Sequence, residues 1–144
     1  MLPVILTQTD TTVGFLSQDA NKLYEIKSRE RTKPFIKVYQ DFQGFLSENN
    51  RVPHPFKSQI RRAKKTTFIV KNRAFRIAHP PLHSQILRNS SWYFSSSANE
   101  ASKKFQREFC ENKADIIIED IHRLQENNPS ALIILNNVKR KKIR

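Results

Sequence analysis

A chain of 144 residues has room for one domain of ordinary size, or a small domain plus a tail, and 38% hydrophobic residues suffice for one core, which argues against wholesale disorder. Lys and Arg number 26 against 13 Asp and Glu, a formal net charge of +13, with a pI of about 10.2. Two glycines, Gly14 and Gly44, exclude a Walker-type phosphate loop and a GxGxxG dinucleotide turn, and the single Cys110 excludes an internal disulfide or a Cys-rich zinc site.

In chain order, residues 3–6 are a short apolar run that reads as a buried strand. The run is too short, and lacks the basic flank, for a signal peptide or a membrane span, so a cytoplasmic protein with no membrane partner is expected. Residues 19–26 place Leu23 and Ile26 at helical spacing behind Asp19 as N-cap. Residues 35–39 read as a strand, and 41–46 as a short helix with Phe42, Phe45 and Leu46 on one side. A loop with two prolines at 49–55 leads to a basic amphipathic helix at 56–63. Two β-branched or aromatic runs, 66–70 and 74–78, flank Lys71-Asn72-Arg73 and predict a hairpin or two adjacent strands. Pro80-Pro81 breaks the chain before a short helix at 82–87, and 92–96 reads as a strand entering a Ser-rich turn. The remainder reads as a helix at 100–109 and strands at 116–118 and 131–135. Strands alternating with helices predict an α/β fold with a mixed sheet, and no repeat or linker divides residues 1–144 into more than a single domain.

The charge is uneven. No acidic residue lies between 49 and 99, a stretch holding the cations from Arg51 to Arg88, and a second basic block runs from Lys139 to Lys142 with Arg144. Such blocks contact polyanions through phosphates and counterion release; a solvated face kept for solubility is the plainer alternative.

Three segments can carry chemistry. Thr9-Asp10-Thr11-Thr12-Val13-Gly14 follows the first strand with hydroxyls and a glycine able to hold a small polar ligand, or simply to make a turn. Lys27-Ser28-Arg29 offers a mobile point charge and a planar fork to phosphate or carboxylate oxygens, though such triplets also arise by chance in a basic chain. Ser97-Ala98-Asn99-Glu100 reads as an S-x-x-E capping box, whose helix N-terminus is also a ready anion site. His79 and His83 stand four apart, but Pro80 and Pro81 between them break the helix that would align them, so no metal site is expected. Cys110, beside Phe109, reads as buried rather than nucleophilic.

In order, Thr9-Asp10-Thr11-x-x-Gly14, Lys27-x-Arg29-x-x-x-Lys33-Pro34, Ser97-Ala98-Asn99, Pro129-Ser130 and Arg144 resemble the Sua5/YciO/YrdC/YwlC family, from Thr9 to Arg144. The resemblance implies a YrdC-like domain with a twisted mixed sheet flanked by helices. It also implies a threonylcarbamoyl-AMP synthase-like nucleotidyltransferase that uses L-threonine, bicarbonate or CO₂, and ATP with its Mg²⁺, in the N6-threonylcarbamoyladenosine modification of tRNA. Carried over, the family's Lys, Arg, Ser and Asn set falls on Lys27, Arg29, Ser97 and Asn99 as catalytic residues. Thr9, Thr67, Ser130 and Arg144 fall on the substrate- and nucleotide-binding positions. The chain departs from the pattern at Val13 for tyrosine, Gln8 and Glu30 for prolines, Ala63-Lys64-Lys65 for Pro-Gly-Pro, and Ser130-Ala131-Leu132 for Ser-Thr-Val. RNA, as tRNA or as a duplex, and downstream tRNA threonylcarbamoyl transferase proteins are the implied partners. The rival reading is a non-catalytic RNA-binding protein of the same fold, with the acid-free stretch as its working surface. A third is an unrelated basic nucleic-acid module in which the motifs are coincidence.

Overall fold

In the computed structural model, residues 2–78, 90–100, 103–119, 123–136 and 139–144 are described. The expected helix at 82–87, the His79/His83 pair and Arg88 lie outside them. The elements are β1 (Ile5–Gln8), β2 (Val13–Ser17), α1 (Ala20–Lys27), β3 (Ile36–Tyr39), α2 (Phe42–Ser47), α3 (Lys57–Arg62), β4 (Thr66–Val70), β5 (Arg73–Ile77), β6 (Trp92–Ser97), α4 (Arg107–Lys113), β7 (Ile116–Ile118), β8 (Ala131–Leu135) and β9 (Arg140–Lys142). A single 3₁₀ turn, His54–Phe56, leads into α3.

The strands form one mixed sheet in the order β7-β1-β2-β6-β3-β5-β4-β8-β9, with parallel pairs β1–β7, β3–β5 and β4–β8. Because strand side chains alternate faces, the register sorts the core. On one face, Val4, Leu6, Val13 and Phe15 pack with Leu23 of α1 and Cys110 of α4. Beside that cluster, Tyr39, Phe68, Phe75, Ile133 and Leu135 pack with Phe42 and Phe45 of α2 and Ile60 of α3. On the opposite face a smaller cluster joins Ile5, Leu16, Val38, Ala78 and Tyr93.

Local chemistry explains most boundaries. Asp19 caps α1 by accepting from the Asn21 N–H at 3.0 Å, as its place in the sequence predicts, and Asp41 caps α2 by accepting from Gly44 at 2.6 Å. Lys71 and Asn72 both adopt positive φ (50° and 64°) between the paired Val70 and Arg73, the two-residue hairpin turn that matches strand twist.

Three expectations are corrected. The helix expected at 100–109 forms instead at Arg107–Lys113, and Ser97 is no helix cap: it still pairs with Gly14 as the last residue of β6. Asn99, just beyond, is held by Lys27 and by its own bond to the Lys103 carbonyl, in a bend rather than a helix. β2 is a strand where only a turn and a glycine were read, because the turn closes by Thr12 and Gly14 enters the sheet. β9 is a strand hidden by its charge; an edge strand tolerates all three cations because each stays exposed.

Candidate functional site

α1 ends in a left-handed turn at Ser28 (φ 49°), where the Ser28 N–H donates to Glu25 O and the Arg29 N–H to Tyr24 O, the paired bonds of a Schellman motif. The reversal leaves Lys27 on the helix, 7% exposed and turned toward the end of β6. Its ammonium donates to Ser97 O (3.1 Å), Asn99 O (2.9 Å) and Asn99 Oδ1. Burial lowers the Lys27 pKa from its ordinary value; Cys110 opposes the fall, and neighbouring Arg29, a smaller effect, adds to it. Asn99 is thereby fixed: its Oδ1 also accepts from Ser97 Oγ (2.9 Å). Arg29 emerges beyond the turn, donating to Lys33 O (2.9 Å) and Pro34 O (3.2 Å) and lying 5.1 Å from the Phe35 ring centroid.

These connections meet the turn between β1 and β2. Thr9 Oγ1 donates to Thr12 O (2.5 Å) and accepts from the Thr11 N–H (3.2 Å), which closes the turn. Gly14 follows at a point of close approach. A Cβ there would lie 3.1 Å from Thr9 Cγ2 and 3.2 Å from Ser96 O, tighter than ordinary contact, so a side chain would displace either Thr9 or β6. From β5, Arg76 reaches under the turn: 4% exposed, it donates to Thr11 Oγ1 at 3.0 Å and pairs with Asp10. Its Nε is buried without a hydrogen-bond acceptor. On the far side, Ser130 Oγ and Thr67 Oγ1 share a buried hydrogen bond of 2.7 Å, and Arg144 Nε donates to Ser130 O at 3.0 Å.

The result is an open cavity of about 230 Å³ on the sheet face opposite the four helices. Of the eight residues singled out in the sequence, Thr9, Arg29, Ser97, Ser130 and Arg144 line it, although 135 positions separate the first from the last. Thr67, Lys27 and Asn99 do not line it. Thr67 stands directly behind Ser130, and Lys27 and Asn99 stand behind Ser97, bonded to it. Sequence reasoning missed Arg76, which was counted with the surface cations. The available signal was its position between Phe75 and Ile77 in an apolar strand, where a buried arginine demands a carboxylate partner. Thr11, Thr12, Ser95 and Pro129 also line the cavity, within or beside motifs already noted.

Chemically the cavity offers hydroxyls and cations, and among the described residues no carboxylate lines it, a setting for anionic oxygens. Among the described residues no His, Asp or Glu lines it. Among the described residues no group of three or more His, Cys, Asp or Glu side chains gathers as for a metal ion.

Searched by sequence, the chain matches no family model and no curated protein at a significant level. Its structure is similar to solved ones. Against P. abyssi Sua5 complexed with L-threonine the TM-score is 0.79 at 16% identity, covering 99% of this chain and 50% of that one. Against E. coli YciO it is 0.77 at 17% identity, covering 99% and 82%. Against MTH1692 from Methanobacterium thermoautotrophicum it is 0.72 at 16%, covering 99% and 79%. The chain has the Sua5/YciO/YrdC-family fold and spans half the length of that Sua5 chain.

Proposed function

We propose that the cavity binds L-threonine, as its carbamate with bicarbonate or CO₂, against the triphosphate of ATP, and forms threonylcarbamoyl-AMP with release of pyrophosphate. The observation that supports this reading is convergence: the turn after β1, the turn after α1, the end of β6, Ser130 and Arg144 surround one cavity rich in hydroxyls and cations. The similar P. abyssi Sua5 structure was solved with L-threonine, which fits the same reading.

The nucleophile is a carbamate oxygen, already anionic, so the reaction needs no base from the protein. That oxygen attacks the α-phosphorus, the bond to the β-phosphate bridging oxygen breaks, and pyrophosphate departs. What the chain supplies is alignment and charge neutralisation. Arg29 and Arg144 hold phosphate and carboxylate oxygens at opposite sides of the cavity, and Thr9, Ser97 and Ser130 present hydroxyls. Lys27 acts one step back, holding the Ser97 and Asn99 carbonyls in place. Mg²⁺ travels with the nucleotide, held by phosphate oxygens and water. The product would pass to tRNA through partner transferases in the cytoplasm.

The test is pyrophosphate release as a function of ATP, L-threonine and bicarbonate. Release that requires all three, and falls about 10- to 100-fold in Arg29→Ala, is expected from the loss of charge-assisted hydrogen bonds. Release indifferent to threonine overturns the reading.

A further inference from the structure

The cations between 49 and 99 take little part in that chemistry, and the fold gives them another place. On the helical face of the sheet, in the gap between its two apolar clusters, lies a cavity of about 610 Å³. Register places Lys37, Tyr39, Phe75 and Phe94 on this one face as its floor. A second cavity of about 350 Å³ shares Phe45, Asn50, Arg73 and Phe75 with the first and adds Arg51 and Lys71. Among the described residues the only carboxylate lining either is Glu48, already engaged by Lys37 Nζ (3.0 Å) and by the Tyr39 hydroxyl (2.8 Å). The groove is therefore aromatic in its depth and cationic along its rim.

Val70 pairs with Leu135, and Leu135 with Arg140, so Arg140 of the second basic block lies two strands from Val70 at the base of the hairpin that carries Lys71, roughly 10 Å across the sheet and outside the lining of both cavities.

We propose that this groove binds an unpaired segment of an RNA strand, with a base against Phe94 and phosphates along Arg73, Lys71 and Arg51. A strand that alternates planar bases with fixed negative charges matches an aromatic floor with a cationic edge; an acidic peptide lacks the rings, and a membrane surface does not enter a groove. The choice of RNA over DNA rests on the function proposed above; the groove itself does not.

Trp92, the only tryptophan, reports occupancy: its ring lies 5.1 Å from the Phe94 ring, and the Lys37 ammonium sits 3.9 Å from its centroid. A base stacking on Phe94 is expected to change Trp92 fluorescence. The experiment titrates the full chain with an unlabelled uridine oligomer, the matching DNA oligomer, an RNA duplex, polyglutamate and phosphatidylserine vesicles over a salt series. Expected are a saturable Trp92 change, tightest for the single-stranded RNA, and a log K against log salt slope reduced by about 0.7 for each phosphate-bound cation neutralised in Lys71→Gln and Arg73→Gln. Phe94→Leu, which retains apolar packing, is expected to weaken binding about tenfold with the salt slope unchanged. Binding without a Trp92 change, an unchanged slope in both charge variants, or equal or tighter binding of duplex, DNA, polyglutamate or vesicles overturns the proposal. The readout needs no turnover, so it stands or falls separately from pyrophosphate release.

Discussion

At the scale of single residues, the side chains behind the cavity carry as much weight as those facing it. Thr67 is fully buried and its hydroxyl meets only Ser130 Oγ, so Thr67→Val preserves shape while leaving a buried Ser130 hydroxyl without that partner. A loss of about 1–3 kcal/mol in urea denaturation is expected, since a buried group left unsatisfied keeps its full desolvation cost. A loss below a few tenths would mean that Ser130 finds water. Lys27 is a buried cation with a depressed pKa, and the sign of its linkage follows. Between the lowered folded value and the ordinary 10.5, the unfolded chain binds more protons than the folded one, so stability from this group rises with pH. Wild type should therefore gain stability relative to Lys27→Met as pH climbs toward 10.5, measured as the difference between their unfolding free energies. A difference flat with pH would show that Lys27 keeps its ordinary affinity for the proton.

At the scale of elements, the site depends on how closely β1, β2 and β6 approach. Gly14→Ala forces a methyl within 3.1 Å of Thr9 Cγ2 and 3.2 Å of Ser96 O, and relief must come from backbone or from the Thr9 turn. The expected outcome is a destabilisation of about 1–3 kcal/mol, typical of overpacking, together with weakened threonine-dependent turnover. Wild-type stability in this variant would sink the argument. A second inter-element tie joins β3 to the segment after α2: Tyr39 donates to Glu48, which also binds Lys37, while Asn50 donates to the Tyr39 oxygen at 3.1 Å. Burial first, and the Glu48 carboxylate second, raise the Tyr39 phenol pKa above its ordinary 10. The folded chain keeps this proton where the unfolded chain releases it, so stability from this group is full below pH 10 and falls as pH rises beyond it. Alkaline absorbance titration should show a phenol that resists ionisation in the wild type and is missing from Tyr39→Phe.

At the scale of the whole molecule, +13 on 144 residues sets up self-repulsion in the compact state, concentrated where α3, the β4–β5 hairpin and β9 come together. Ionic strength near 0.1 M shortens the Debye length to about 10 Å, so the melting temperature is expected to rise between very low salt and that range. A melting temperature that falls with salt would mean that ion pairs such as Arg107 with Glu119 outweigh the repulsion.

The α/β character, the Asp19 cap, the helix beginning at Asp41 and the two strands flanking Lys71-Asn72-Arg73 were legible in the chain, because each rests on local spacing, whereas Thr9, Lys27, Arg29, Ser97 and Ser130 were singled out by the resemblance of their motifs, taken in order, to a known family. β2 and β9 were not legible. A strand of five residues beside a glycine turn, and one of three cations, carry no periodic signal; they exist because neighbouring strands supply hydrogen-bond partners. The helix start was misplaced for the same reason: the Ser97–Glu100 pattern favours a cap locally, but sheet pairing at Ser97 prevails. Arg76 was hidden because a buried arginine looks like a surface one until the strand carrying it is paired and Asp10 is brought beneath it.

Composition and local spacing, then, determined which residue types were available: many cations, few glycines, one tryptophan, and motifs in a recognisable order. Only the tertiary structure decided which cations face a cavity, which prop it from behind and which line a groove on the other side of the sheet. That division is set by strand register, and register is a long-range property: β4 meets β8 across more than sixty residues, and no local pattern encodes it.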